Sequence, residues 1–248
     1  MNSVAGKDQL VIPENTSKNT HNVVAELLGE VANRKVLDLP CGEGAFSKRM
    51  FESGADVFSA DYLNIIKIPH AQFSSVDMNE TLPYGDAMFD AVVCIDGIEH
   101  IEKPFDFIRE CRRIIRKGGV LIISTPNLTA LRSRWRYLLT GFHQGEKSPL
   151  DEAHYTPLHH LSLVSFPELR YRLHANGFRV TAVRTNRVKL ISWLYVVLAP
   201  LSCLVTVLAF NKEEKDARVR EQNRGILKQM FTVPVLFGET LIVKAERI

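Results

Sequence analysis

The sequence has 248 residues, of which 46% are hydrophobic and 24% charged, so we expect a globular chain with a substantial core. Its formal net charge of +3 is too small to indicate nucleic acid as a partner. The four cysteines form no CxxC pair, which excludes a recognisable zinc or disulfide framework and favours reduced, mostly buried thiols in the cytosol.

The first part of the chain alternates between helical and strand patterns. Residues 1–19 are polar, lack the build of a signal peptide and predict a flexible lead-in. Apolar residues at helical spacing from residue 20 predict a helix, and residues 36–39 predict a first strand that runs through a glycine turn into a second helix. Residues 56–61 (DVFSAD) predict a second strand. The crossover after it is short and contains Pro69, so its helix should be small or irregular.

The middle of the chain continues the alternation. Residues 73–76 and the nearly continuous apolar run 89–95 predict strands three and four. Residues 104–116 predict a helix that Gly118 and Gly119 end, and its basic residues are better explained by a solvated face than by a nucleic-acid patch. A fifth strand follows at residues 120–124. Five alternating strands predict a doubly wound α/β sheet.

The last third begins with a long excursion rich in Arg, aromatic residues and His, at residues 128–163. Ser165 is a plausible cap for a helix that Gly177 ends. Residues 178–185 and 239–245 predict strands six and seven.

The stretch VLDLPCGEGAFSKRM at residues 36–50 predicts a ligand site. Gly42 and Gly44 permit a tight turn and close backbone approach, and the helix from Ala45 points its free N–H groups at a ligand. Asp38, just before the turn, suits a cationic or donor-rich ligand, which fits an aminoacyl nucleoside better than a pyrophosphate. Asp61 follows about twenty residues later, where a carboxylate binds a ribose diol. The alternative is a glycine turn that only lets a helix pack close to a strand.

This stretch resembles the first motif of the class I S-adenosylmethionine-dependent methyltransferases, with Pro40 standing where that motif often has glycine. The resemblance implies a Rossmann-like sheet of seven strands with the last one antiparallel. It also implies that Asp77 meets the adenine amine and that Met78 flanks the ring, whereas an ordinary turn acid is the alternative for Asp77. The predicted cofactor-binding residues are Asp38, Cys41, Gly42, Gly44, Asp61, Tyr62, Asp77, Met78 and Asp96.

Methyl transfer to a hydroxyl needs a proton acceptor near the ends of strands four and five. Asp96, Glu99 and His100 stand there as D-x-x-E-H, which resembles the E-x-x-E-H of ubiquinone-biosynthesis O-methyltransferases. That resemblance implies a divalent ion, for which two carboxylates favour Mg²⁺. In the alternative, Asp96 lines the cofactor pocket while Glu99 and His100 cap the following turn.

A second cluster of candidate bases is HYTPLHHLS, which contains His154, His159 and His160. For each of these histidines, the alternative interpretation is a structural role. We predict His100, His154 and His159 as the catalytic residues.

Residues 190–210 contain no charged side chain and are long enough for a membrane helix. Pro200 divides this stretch, and strands six and seven must lie on the same side of any membrane. We therefore predict a monotopic helical hairpin dipping into one leaflet on the cytoplasmic face. The alternative is a buried hairpin that forms a homodimer interface or an active-site lid. Around Trp135 the sequence LRSRWRYLLTG predicts a second amphipathic patch whose arginines suit anionic groups, or else a solvated arginine face.

We predict a membrane-associated methyltransferase that O-methylates an amphipathic or lipid-linked acceptor. Residues 20–185 also resemble methyltransferases of surface-polysaccharide and lipid-linked glycan synthesis, which makes a glycan hydroxyl the first choice and a prenylated quinone-type phenol the second. A non-catalytic membrane scaffold and a nicotinamide oxidoreductase are the rival classes. The predicted segments are 1–19 (lead-in), 20–127 (cofactor half), 128–164 (substrate-side insertion), 165–189 (end of the core), 190–231 (membrane hairpin and charged helix) and 232–248 (last strand).

Overall fold

The computed structural model of the protein describes residues 11–68, 72–145, 149–154, 156–213 and 216–248. Its centre is a seven-stranded sheet in the order β3-β2-β1-β4-β5-β7-β6, in which β7 runs antiparallel to both of its neighbours. The strands are Lys35–Asp38 (β1), Asp56–Asp61 (β2), Gln72–Ser75 (β3), Phe89–Ile95 (β4), Ile115–Pro126 (β5), Phe178–Thr185 (β6) and Thr240–Arg247 (β7). The order and the helical insertion between β6 and β7 confirm the predicted fold class.

Helices cover both faces of the sheet. They are Thr20–Leu28 (α1), Ala45–Glu52 (α2), Pro104–Ile114 (α3), Leu131–Thr140 (α4), Phe166–Ala175 (α5), Ala199–Glu213 (α6), Ala217–Met230 (α7) and Val233–Phe237 (α8). On one face, apolar residues of α1 and α2 such as Val24 and Phe46 form a core cluster with the sheet. On the other face, α3 and α5 contribute Ile108 and Leu169 to a larger cluster. Burial on both faces explains why β4 is an uninterrupted apolar run.

Most predicted strand positions are correct, and β2, β4 and β6 have the predicted bounds. The predicted helix end at Gly118 and Gly119 is wrong, because α3 already ends at Ile114 and both glycines lie within β5. The chain enters the sheet before the two glycines because Ile115 already pairs with Phe89 at the start of β4. Residues 62–68 are irregular, in agreement with the predicted short crossover, whereas Pro69 and residues 70 and 71 lie outside the part of the chain that the structure describes.

One buried amide joins three distant segments. The Asn186 side chain donates a hydrogen bond to the carbonyl of Lys18 (3.1 Å) and accepts one from the backbone N–H of Thr240 (3.1 Å). In return, the Asn19 side chain donates to the Asn186 carbonyl at 3.0 Å. The residues before α1, the loop after β6 and the start of β7 are therefore held at one place.

The insertion between β6 and β7 begins with an apolar segment, Leu190–Phe210. It consists of a 3₁₀ segment, Leu190–Leu198, followed by the first part of α6, so the helix type changes beside Pro200. By length and composition this segment could cross a membrane, and none of its most apolar 18 residues is buried inside the protein. Its inner side is held by a small core of Leu131, Leu236 and Phe237. The four cysteines are free, and Cys203 in α6 is the one that is not buried.

Candidate active site

A cavity of about 990 Å³ opens at the carboxyl ends of β1, β2 and β4. Ligands of doubly wound sheets bind at this edge, where the order of the strands reverses between β1 and β4. The volume is at the upper end of the range for small-molecule sites. Of the predicted cofactor-binding residues, the lining includes Asp38, Cys41, Gly42, Asp61, Tyr62, Asp77, Met78 and Asp96.

The glycine turn combines an open position with a packed one. Gly42 has a φ of +53° and its missing side chain would point into open space, which leaves its backbone accessible from the cavity. Gly44 does not line the cavity; it has a φ of +93° and immediately precedes α2. A Cβ on Gly44 would lie 2.7 Å from the Ile68 side chain. Gly42 therefore leaves room for a ligand beside its backbone, whereas Gly44 has no room for a side chain because Ile68 packs against it.

Asp38 lies at the bottom of the cavity and is 1% exposed. The Ser47 hydroxyl donates to its Oδ2 at 2.6 Å, and the Ser59 hydroxyl donates to Ser47 at 2.8 Å. The pKa of Asp38 is raised from 3.8 to about 7, chiefly by burial and to a smaller extent by the nearby Asp61 charge, against the lowering effect of the Ser47 hydrogen bonds. A cationic group bound beside Asp38 would offset the cost of ionising this carboxyl.

Asp61 and Asp77 are positioned by turns at the ends of β2 and β3. Asp61 Oδ2 accepts a hydrogen bond from the Gly42 N–H at 2.8 Å, so this acid is fixed against the glycine turn. Asp77 is exposed, and its Oδ1 accepts from the Asn79 N–H at 2.8 Å. Asp77 therefore makes the turn contact that its alternative interpretation expects, and it also lines the cavity, so its contact with the adenine amine stays a prediction.

The residues predicted to act on an acceptor, Asp96, Glu99 and His100, line the same cavity. Asp96 has a left-handed backbone with a φ of +46°, and its Oδ1 accepts from the Ser124 hydroxyl at 2.6 Å. Burial raises the pKa of Asp96, although the Ser124 hydrogen bond and His100 lower it. Glu99 is 1% exposed and its Oε2 has no hydrogen-bond partner among the described residues. Burial, followed by repulsion from Asp96, raises the pKa of Glu99 from 4.5 to about 8.

Glu99 is joined by two histidines. Among the described residues, one ligand atom from each of Glu99, His100 and His160 lies within 4.8 Å of the other two. His100 Nδ1 lies 3.1 Å from the His159 carbonyl oxygen. In the tautomer whose Nδ1–H donates to this carbonyl, Nε2 carries no proton and is the nitrogen that can bind a metal ion. The sequence grouped Asp96 with Glu99 and His100, whereas the structure groups His160 with them because Ser124 already holds Asp96. A buried carboxylate oxygen without a partner and two imidazoles fit a divalent cation.

The other two predicted catalytic histidines lie outside this group. His154 does not line the cavity; its exposed ring lies 3.2 Å from Asp151. His159 does not line the cavity either, and contributes its backbone carbonyl to the position of His100. Catalysis by these two side chains therefore has no support from the geometry, since neither ring borders the space in which an acceptor would bind.

Sequence reasoning missed the contribution of the chain before α1. Residues 13–17, within the predicted lead-in, line the cavity together with His21. His21 is buried with its ring 5.4 Å from that of Phe46 and its Nδ1 3.7 Å from Glu14, and burial lowers its pKa. Thr20 and His21 precede the apolar pattern of α1, and polar residues at the start of a helix do not by themselves indicate a place beside the cavity.

The comparisons with known proteins agree with this geometry. A family model described as a methyltransferase domain matches residues 14–183. The chain belongs to this methyltransferase family. The family match and the seven-stranded sheet identify a methyltransferase domain of the class I fold. The residues in the cavity fit S-adenosylmethionine, the cofactor of such domains, since an accessible glycine backbone, Asp61 and the buried Met78 side chain line it together.

Its relatives are similar over part of their length. A ubiquinone biosynthesis O-methyltransferase of Alkalilimnicola ehrlichii is 29% identical over 46% of this chain and 53% of its own length. A probable S-adenosylmethionine-dependent methyltransferase of Mycolicibacterium smegmatis is 32% identical over 67% of this chain and 61% of its own. The chain spans about half the length of the first curated relatives it matches.

Solved structures support the fold alone. A methyltransferase from Archaeoglobus fulgidus has a TM-score of 0.56 at 20% identity, covering 92% of this chain and 95% of that one. The [4+2]-cyclase SpnF has the same TM-score and identity and covers 92% and 80% of the two chains.

Proposed function

We propose that this methyltransferase methylates a hydroxyl group of a lipid-linked acceptor, with a glycan sugar hydroxyl as the first choice. The observation that carries the proposal is that one cavity is lined both by predicted cofactor-binding residues and by the group Glu99, His100 and His160. A hydroxyl acceptor needs a group that removes its proton, and this polar group is in position to provide one.

The residues of the cavity would have the following roles in methyl transfer. S-adenosylmethionine, when bound, supplies a methyl group already activated by its sulfonium. Asp38, Asp61 and Asp77 would hold the donor. In the metal-free group, His160 would take the proton from the acceptor oxygen as that oxygen bonds to the methyl carbon and the carbon–sulfur bond breaks. In the alternative, Glu99, His100 and His160 would hold a divalent cation; the cation would make the hydroxyl more acidic, and the proton would pass to water. Two nitrogen ligands and one oxygen ligand favour a first-row transition metal over the Mg²⁺ that the sequence suggested.

The lipid part of the acceptor is supported by the surface beside the cavity. Glu239 lines the cavity, and its carboxylate contacts Arg187 and Lys189, which directly precede the exposed apolar segment Leu190–Phe210. An acceptor held in a lipid layer would thus reach the cavity from the side on which the apolar segment lies. A prenylated quinone-type phenol is the second candidate, favoured by the relatives named as ubiquinone biosynthesis O-methyltransferases.

The first test is calorimetric titration of the detergent-solubilised protein with S-adenosylhomocysteine, beside NADH as a control for the oxidoreductase class. We expect binding of the nucleoside alone. Methyl transfer from labelled donor to lipid-linked glycans, to prenylated phenols and to total lipid extract would then be measured with Mg²⁺, with Mn²⁺ and with a chelator. Binding without transfer to any of these acceptors would favour the non-catalytic scaffold.

The second test separates the acceptor-side group from the cofactor side. Glu99→Gln and His160→Ala should lower methyl transfer at least about 100-fold while S-adenosylhomocysteine still binds. His154→Ala is the matched control, since this ring lies outside the cavity, and should keep both properties. Full activity of His160→Ala would remove this residue from the mechanism.

A further inference from the structure

An exposed apolar surface extends over two neighbouring elements. On the apolar segment, Leu190 is 88% and Val197 75% exposed, and on α4 Leu138 is 72% exposed. We name this surface, formed by the exposed apolar side chains of Leu131–Thr140 and Leu190–Phe210, the docking face. Soluble monomers rarely expose contiguous apolar patches beyond a few hundred Å², so this face is expected to have a partner.

The docking face is held firmly to the core. Trp193 stacks on Phe237 with ring centroids 4.8 Å apart, and Phe237 belongs to the small core that holds the inner side of the segment. The Arg134 guanidinium on α4 donates to the Ser202 hydroxyl on α6 at 2.8 Å. The two elements therefore form one continuous surface.

We propose that the docking face binds the surface of an anionic lipid bilayer, with its apolar side chains below the headgroups. The first argument is charge. The chain has 31 Lys and Arg and 28 Asp and Glu, and α4 and α7, the two helices beside the apolar segment, carry seven of the basic residues and one of the acids. The rest of the chain thus has a net charge of −3. One of the seven, Arg134, donates internally to Ser202 and to the Thr129 carbonyl, which leaves six basic residues to set against lipid headgroups. A local excess of arginine and lysine beside an apolar surface complements anionic headgroups.

The second argument is the position of the aromatic residues. The chain has two tryptophans, Trp135 and Trp193, and both lie on the docking face, 40% and 45% exposed. Tyr137 beside them is 51% exposed. Tryptophan and tyrosine are enriched at the boundary between headgroups and acyl chains, where one end of the ring is wet and the other is not.

The same charges disfavour a second copy of the chain as the occupant. A two-fold dimer places the same patch of each subunit against its mate, which would bring the basic helices of the two copies together. A bilayer containing acidic lipids has no such penalty. Membrane attachment through the docking face stands independently of methyl transfer, although it would explain access to a lipid-linked acceptor.

The test uses the full chain and two kinds of vesicle, phosphatidylcholine alone and phosphatidylcholine with about 30% phosphatidylglycerol. We expect sedimentation with the anionic vesicles, a blue shift of tryptophan emission, and weaker binding when salt rises from about 50 mM to about 500 mM. The exposed row Leu201, Leu204 and Leu208 on α6 supplies the variant. Changing all three to Asn should lower vesicle binding at least about 100-fold.

Phe51→Asn is the matched control, because Phe51 is 53% exposed on α2, away from the docking face. Each variant would also be titrated with S-adenosylhomocysteine, which reports on the fold and on the cofactor site. Folded protein that binds this nucleoside but neither vesicle would overturn the membrane inference and leave the proposed function standing. A lipid-independent dimer that the triple variant dissociates would equally overturn it. Vesicle binding by protein that transfers no methyl group would overturn only the proposed function.

Discussion

Replacement of Asp38 by Asn should stabilise the ligand-free protein and weaken its cofactor site. The pKa of this buried carboxyl is raised from 3.8 to about 7, so the folded state holds a proton that the unfolded state releases. The stabilisation that comes from the protonated Asp38 carboxyl is complete below pH 3.8 and is lost as the pH rises to about 7. For a single group with these values the loss is about 2 kcal/mol at pH 5 and about 4 kcal/mol at pH 8.

Asn has no charge to bury and can still accept the Ser47 hydrogen bond. We therefore expect Asp38→Asn to raise the free energy of unfolding by up to about 4 kcal/mol at pH 8 and by about half of that at pH 5. Affinity for S-adenosylhomocysteine should fall roughly 10- to 100-fold through loss of a charge-assisted hydrogen bond. Urea denaturation at the two pH values and calorimetric titration measure these quantities.

Asp56→Asn is the control for this experiment. Asp56 begins β2, at the end of the strand away from the cavity, so the same change of side chain should leave affinity for the nucleoside unchanged. A gain in stability that is equal at both pH values, or a destabilised Asn variant with normal affinity, would refute the electrostatic reasoning.

Three further predictions follow from the site. Affinity of the wild type for S-adenosylhomocysteine should fall as pH drops below about 7, because Asp38 takes up a proton, and this dependence should disappear in Asp38→Asn. Asp61→Ala removes the acceptor of the Gly42 N–H and should lower the same affinity at least about 10-fold in protein with unchanged circular dichroism; unchanged affinity would mean that the pocket is misplaced. Gly97→Ala places a Cβ 2.3 Å from the Pro40 ring and should lower the free energy of unfolding by about 1–3 kcal/mol, as measured by thermal unfolding. Gly85→Ala is the control, because its Cβ meets no atom within 4 Å and should leave the stability unchanged. Equal melting temperatures of the two variants would contradict the packing argument.

The cofactor side of the site was predictable from sequence for a topological reason. In a parallel sheet the residue after each strand lies at the same edge, so the acids that end β1 and β2 had to meet. Asp38 and Asp61 are the last residues of β1 and β2, and the glycine turn that follows β1 is short. No knowledge of distant contacts was needed to bring them together.

The acceptor side depends on contacts between segments far apart in the chain. The Ser162 N–H donates to the Glu99 carbonyl, and the His159 carbonyl lies against His100. These contacts decide that His160 faces the cavity, whereas His154 and His159 do not. Three histidines within seven residues carry no periodic signal that separates them, so their orientation could not be derived from spacing. The same limit applies to Asp96, whose carboxylate is held by Ser124, 28 residues away in sequence.

Hydrogen bonds of Asn186 join residues 18 and 19, before α1, to the start of β7 near the other end of the chain. A shortened protein that begins at Thr20 would lose the Lys18 carbonyl and the Asn19 side chain, leaving a buried amide with unpaired groups. The damage would not stay near the cavity, because Asn186 also fixes the start of β7 and lies four residues before the apolar segment. Trimming this protein for expression would thus loosen the loop that leads into its docking face.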